Sequence, residues 1–196
     1  MDLTEGTLKE KEARSKKMML WFGIGSLIMT FAGLTSAFIV SRKREDWLND
    51  FELPQAFLTS VIVIVVSSIT MILAKRSLKQ NNISQTSVWL VITFILGVFF
   101  IYNQFSGFSE FVERGLYFTG ATSNVTVSFI YVIAVVHILH VIAGLISIVV
   151  VIINNLNKKY ASDNMLGLEL AAHFWHFIDI LWVCLFLFLY FFRYII

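Results

Sequence analysis

The sequence predicts an all-α integral membrane bundle of five transmembrane helices, and three observations carry that prediction. Hydrophobic residues make up 58% of the 196, with 19 Phe, and charged residues only 14%. With a mean hydropathy of +0.78, the chain is too apolar for a soluble domain of this size. Five apolar stretches each reach the ~20 residues an α-helix needs to cross ~30 Å of hydrocarbon. None of them alternates in polarity as the ~10-residue strands of a membrane barrel would.

The first span, Met18–Ser41, follows the polar segment "MDLTEGTLKEKEARSKK". It is too long for a signal-peptide core and lacks a small-residue cleavage site, so it reads as a retained helix. Residues 1–17 are accordingly expected to form a polar N-terminal tail, mobile or lying on the surface, and residues 18–196 the five-helix membrane domain. Gly23, Gly25, Ser26, Gly33 and Ser36 would let another helix approach the first closely. The second span, Gln55–Ala74, is entered at Pro54, the single proline. Thr86–Phe105, Val125–Ile153 and Gly167–Tyr194 complete the set. Connections of 11 to 19 residues predict that consecutive helices are antiparallel and adjacent. The lone Cys184 excludes an internal disulfide and a thiolate metal cluster, and reads as a small buried hydrophobe.

Lys and Arg outside the spans set the expected orientation. The tail and the segments 75–85 and 154–166 hold ten, against five when the four of the segments 42–54 and 106–124 are joined by Arg193 at the C-terminal edge of the last span. That excess predicts a cytoplasmic N-terminus and an outside C-terminus.

All four histidines, His137, His140, His173 and His176, fall in the last two spans together with Glu169 and Asp179. Ionisable groups are costly in hydrocarbon, so they usually face the bundle interior and pair with one another. Glu169, His173, His176 and Asp179 recur every three or four residues, which places them along one helical face, and His137 and His140 share a face of the fourth helix. At ~1.5 Å per residue, His140 and Asp179 both lie ~18 to 20 Å from the cytoplasmic surface. The expectation is a contact in which Asp179 or His176 satisfies His140.

Three uses of such residues compete. Paired histidines could ligate a metal or a bis-His haem, as in a membrane anchor of a dehydrogenase. Glu169, His176 and Asp179 could pass protons. The plainest use is a satisfied polar seam that holds the last two helices in register and touches lipid or a partner, and most weight falls there.

"LELAAHFWHFIDILWVCLFLFLYF" resembles the last helix of subunit III of the haem-copper terminal oxidases, with a Glu seven residues before the His of a "WHFVD"-like segment and then a Trp. Those positions are Glu169, Trp175, His176, Phe177, Asp179 and Trp182. "AVVHILHVIAGL" is similar to the family's His-x-x-His-Val and Gly, carried by His137, His140, Val141 and Gly144, and "LGVFFIYNQFSGF" to its segment with a Gln, Gln104. The chain resembles the short form of the family, beginning where the third of seven helices would be. In "GIGSLIMTF", Leu27 takes a position where many members carry a buried Glu, so no proton relay transfers to this helix.

The resemblance implies a non-catalytic subunit III of a proton-pumping respiratory cytochrome c oxidase, with a quinol oxidase subunit or a nitric oxide reductase accessory protein as alternatives. It implies that haem and copper sit in partner subunits I and II, that this chain binds no cofactor beyond structural phospholipid, and that it supports assembly and turnover stability. A larger respiratory supercomplex is a possible further partner, nucleic acid is not, and the expected location is the bacterial plasma membrane.

Overall fold

The computed structural model describes residues 7–48, 51–120, 123–161 and 164–192. They form α1 (Leu8–Ser41), α2 (Gln55–Lys79), α3 (Ile83–Glu113), α4 (Val125–Leu156) and α5 (Leu166–Phe192). All five are long and apolar enough to cross a membrane. Among the described residues the only β feature is an isolated bridge between Ala161 and Asn164. The end of the expected fifth span, residues 193–194, lies outside the described residues.

Several helices outrun the apolar stretches, and polar side chains cap the starts of α1, α3 and α4. At the start of α1 the Thr7 side chain accepts from the Glu10 N–H, while the Glu10 carboxylate takes the Thr7 N–H at 2.8 Å, a reciprocal cap. Residues 8–17 are therefore a helical continuation of the first span. Asn82 and Asn124 cap α3 and α4 through their side-chain oxygens, satisfying N–H groups that lack partners at a helix start.

The best-matched pair is α2 against α3. The buried residues of α3 step alternately by four and three: Thr86, Leu90, Thr93, Gly97, Phe100, Gln104, Gly107 and Phe111. α2 answers in the complementary phase with Phe57, Ser60, Ile64, Ser67, Met71, Ala74 and Leu78. Such a seven-residue repeat produces side-by-side knobs-into-holes packing. Small and hydroxylated residues bring the two backbones close, and the Thr70 and Thr93 hydroxyls bond at 2.8 Å.

α4 and α5 close the bundle by packing on each other, α4 also on α3 and α5 on α2. α1 departs from the expected neighbour order: it packs on α4 and α5 and makes no close backbone approach to α2. The loop leaving it is long enough to step aside, and it is anchored by buried Trp47 and Phe51 and by a bond from the Leu48 N–H to the Thr126 hydroxyl at 2.9 Å. α1 buries only Ile24, Phe31 and Phe38, one residue every two turns, so its seat is a narrow stripe.

Candidate functional site

The polar centre of the bundle is built around two tryptophans of α5, and their partners lie on α2. The Trp175 indole N–H donates to Ser67 Oγ at 3.1 Å. The Trp182 N–H donates to Ser60 Oγ at 3.0 Å. Both pairs are seven residues apart along their own helix, which fixes one antiparallel register between α2 and α5. Ser60 is fully used: its hydroxyl donates to the Phe57 carbonyl at 2.7 Å and also accepts the Gln104 amide at 2.8 Å. Three helices thus meet on one oxygen at a fully buried site.

Trp175 is wedged between two glycines. A Cβ added at Gly144 of α4 would stand 2.9 Å from its Cε3, and one at Gly97 of α3 would stand 2.8 Å from its Cη2. Only glycine lets the ring pass between α3 and α4 at that distance. Trp182 stacks on the His137 ring at 4.8 Å and takes the edges of Phe57 and Phe100.

The ionisable residues are distributed around this centre rather than gathered in it. His137 is fully buried between Trp182, Phe31 and Phe100, with no hydrogen-bond partner for either ring nitrogen. His140 is half-buried, and its Nδ1 donates to the Val136 carbonyl of its own helix at 2.7 Å. His173 is exposed and uses the Glu169 carbonyl in the same way at 2.6 Å. The Glu169 carboxylate pairs with Lys17 of α1 at 3.5 Å. His176 is half-buried, with Nδ1 2.6 Å from Ser68 Oγ of α2. Asp179 is 2% exposed and neither carboxyl oxygen has a hydrogen-bond partner.

The expected contact of His140 with His176 or Asp179 is therefore not formed. A histidine on a helix has the carbonyl one turn back within reach of Nδ1, and His140 and His173 both take that local partner. His176 meets Ser68 of α2 rather than His140 of α4, and the Asp179 carboxyl makes no hydrogen bond. What joins α5 to its neighbours is instead Trp175, Trp182, Gln104 and Gly144, together with Ser60, Ser67, Ser68 and Gly97, which sequence reasoning passed over. The available signal was the equal spacing of the serine pair on α2 and the tryptophan pair on α5.

No group of three or more His, Cys, Asp and Glu among the described residues is placed to hold a metal ion. Cys184 is not buried as expected but exposed on the outer face of the bundle, where an apolar thiol is tolerated because that face of a membrane helix meets lipid. A cleft of about 410 Å³ opens between α1, α4 and α5, lined by Leu20, Val150, Tyr160, Leu170 and Phe174 among others.

Comparison with known proteins places this arrangement. The sequence model of the family described as Cytochrome c oxidase subunit III matches residues 44–194. The chain is 32% identical to cytochrome c oxidase subunit 3 of Spodoptera frugiperda over 145 residues, covering 72% of this chain and 90% of that one. It is 28% identical over 175 residues to the probable cytochrome c oxidase subunit 3 of Mycobacterium tuberculosis (strain ATCC 25618 / H37Rv), covering 87% and 84%. To that of Bacillus sp. (strain PS3) it is 26% identical over 179 residues, covering 89% and 84%. With five membrane-length helices, a tryptophan-serine lock between α2 and α5 and this match over most of its length, the chain belongs to the cytochrome c oxidase subunit III family.

Proposed function

We propose that this chain is the non-catalytic subunit III of a proton-pumping respiratory oxidase that takes electrons from cytochrome c. It sits beside subunits I and II, which hold the haem and copper and reduce oxygen to water. Its own work is assembly and turnover stability. The observation that carries this reading is that the polar side chains are spent on joining helices: Trp175, Trp182 and Gln104 all donate to serines of α2. Residues 18–196 act as the membrane domain and residues 1–17 as its polar tail. The N-terminus lies in the cytoplasm and the C-terminus outside, in a bacterial plasma membrane. His140, Glu169, His173 and His176 belong to a structural seam facing partner and lipid, and His137 and Asp179 to its buried side within the bundle. The apolar cleft between α1, α4 and α5 suits the acyl chain of a phospholipid, since such surface is stabilised by burial against hydrocarbon.

Purification in mild detergent through a tag on this chain tests the reading. Partner chains of a haem-copper oxidase should co-purify, with a reduced-minus-oxidised haem spectrum that is lost when the partners are stripped away. A haem spectrum that stays with the isolated chain would overturn it in favour of a haem-binding anchor. Turnover with quinol and none with cytochrome c would move it to a quinol oxidase.

A further inference from the structure

One ring nitrogen on the bundle surface is open at a depth where hydrocarbon offers it nothing. His140 is the sixteenth of the 32 residues of α4, so it lies ~23 Å from either end of the helix, at the centre of a hydrocarbon layer about 30 Å thick. Its Nδ1 stands 2.7 Å from the Val136 carbonyl. A carbonyl oxygen can only accept, so the proton is on Nδ1, and in the neutral ring Nε2 is a bare acceptor. That nitrogen has no hydrogen-bond partner among the described residues, and it is not enclosed as both nitrogens of His137 are. The ring meets Phe31 of α1 edge to face at 5.9 Å, and its half-buried remainder opens to the outside.

The surroundings decide what can cover it. Val136, His140, Ala143, Ser147 and Val150 step along α4 by four, three, four and three, and none of them is buried. This is the spacing with which α2 and α3 pack on each other, and the small, exposed Ala143 lets a further backbone come close. Lipid does not suit the position: an acyl chain has no donor, and headgroup donors lie ~15 Å away. The cleft assigned above to an acyl chain has Ala143, Ser147 and Val150 on its α4 wall but not His140. The bilayer core holds no water to bond the nitrogen, and a cationic side chain is costly there. A helix is the structure that carries a donor side chain to that depth with its own backbone satisfied.

We propose that the α4 strip around His140 is a docking seam for a transmembrane helix of a partner subunit, which brings a neutral hydroxyl or indole donor to His140 Nε2. The inference rests on the reading that the chain works in an oxidase complex, and not on which electron donor that oxidase uses. The bond from Nδ1 to Val136 fixes the tautomer and the ring orientation before the partner arrives. A single oriented acceptor in an otherwise apolar strip then sets the register of the incoming helix, because any other register leaves both the acceptor and the partner's donor unpaired in hydrocarbon.

Magic-angle-spinning NMR of nitrogen-labelled histidine reads the nitrogen directly, in the full chain alone in lipid and in the purified complex. In each sample the difference from His140→Gln isolates the His140 signals. Nε2 should show the shift of an unbonded ring nitrogen in the chain alone and move upfield in the complex, as an acceptor does on bonding. His140→Leu leaves the partner's donor unpaired, so its complex should shed partner subunits roughly 5- to 150-fold more readily on dilution in detergent. His140→Gln keeps an acceptor oxygen and should hold them nearly as well as the wild type. Should His140→Leu fail to fold, a benzophenone maleimide on Ala143→Cys, in a Cys184→Ala background, still reports what lies over the strip, and label on a partner chain supports the seam. Oxidase subunits that co-purify while Nε2 stays unbonded, label on lipid or quinol alone, or a His140→Leu complex as durable as the wild type would overturn it. A preparation without any oxidase subunit would overturn the proposed function, and the seam with it.

Discussion

Gly144→Ala puts a single methyl group against the ring that locks α5 in place, and its effect can be worked from the contacts. The new Cβ would lie 2.9 Å from Cε3 and 3.0 Å from Cζ3 of Trp175, and 3.0 Å from Cδ1 of Ile178. Trp175 cannot simply retreat. Its far side faces Gly97 of α3, where an added Cβ would stand at 2.8 Å, and its N–H is held by Ser67. Overpacking of a filled interior costs about 1–3 kcal/mol, and replacing Gly by Ala in a helix returns at most ~1 kcal/mol. The expected net loss is thus about 1–2 kcal/mol, a roughly 5- to 30-fold shift in the folding equilibrium. Gly33→Ala on α1, where an added Cβ meets nothing within 4 Å, is the control and should be neutral or slightly stabilising. SDS titration of the full chain in mixed micelles, followed by circular dichroism, measures both. Combining Gly144→Ala with Gly97→Ala closes the slot from two sides, so the pair should lose about 1 kcal/mol more than the sum of the singles. A Gly144→Ala protein as stable as the Gly33→Ala control, or strict additivity of the double variant, would refute the wedged-ring account.

Three further outcomes are expected. Ser60→Ala removes the acceptor of both Trp182 and Gln104, and two buried donors left unpaired at about 1–3 kcal/mol each should make it among the most damaging single-atom deletions in the same titration. Lys17→Ala breaks an ion pair whose side chains are 53% and 29% exposed, so it should cost no more than about 1 kcal/mol, an effect that added salt erases. The Glu10 carboxyl is held below its ordinary value of 4.5 first by its bond from the Thr7 N–H. Because its folded value is the lower one, the cap is fully present above pH 4.5 and is lost as pH falls through the folded value. The protection factors of amides in the first turn of α1, corrected for the intrinsic exchange rate at each pH, should therefore stay constant at neutral pH and fall in acid, and Glu10→Gln should remove that pH dependence.

The five helices were legible because hydropathy and span length act locally: each stretch carries its own evidence for crossing a membrane. Which helices touch was less legible. The seat of α1 on α4 and α5 depends on a thin stripe of Ile24, Phe31 and Phe38 that hydropathy alone cannot separate from the apolar residues around it. The candidate site was half readable. Trp175, Trp182, Gln104 and Gly144 stood out by resemblance, and all four lie at the centre of the bundle. The histidines and Asp179 drew attention through their cost in hydrocarbon, but depth along a helix says nothing of azimuth. His140 and Asp179 were matched in depth, yet His140 bonds the Val136 carbonyl of its own helix and the Asp179 carboxyl makes no hydrogen bond. The serines of α2 escaped notice because a hydroxyl costs little in a membrane helix, where it can bond its own backbone, as Ser60 does.

The lock between α2 and α5 has a consequence for biosynthesis. A ribosome delivers α5 after α2, α3 and α4, yet α5 brings both tryptophans, so those three must wait in the membrane with an unfilled slot and unbonded serine acceptors. Closure is a keystone event that occurs only when α5 arrives. A chain interrupted anywhere before Trp182 presents that unfinished interior to the bilayer, giving membrane quality-control proteases a chemical mark by which to tell a partial product from a completed subunit.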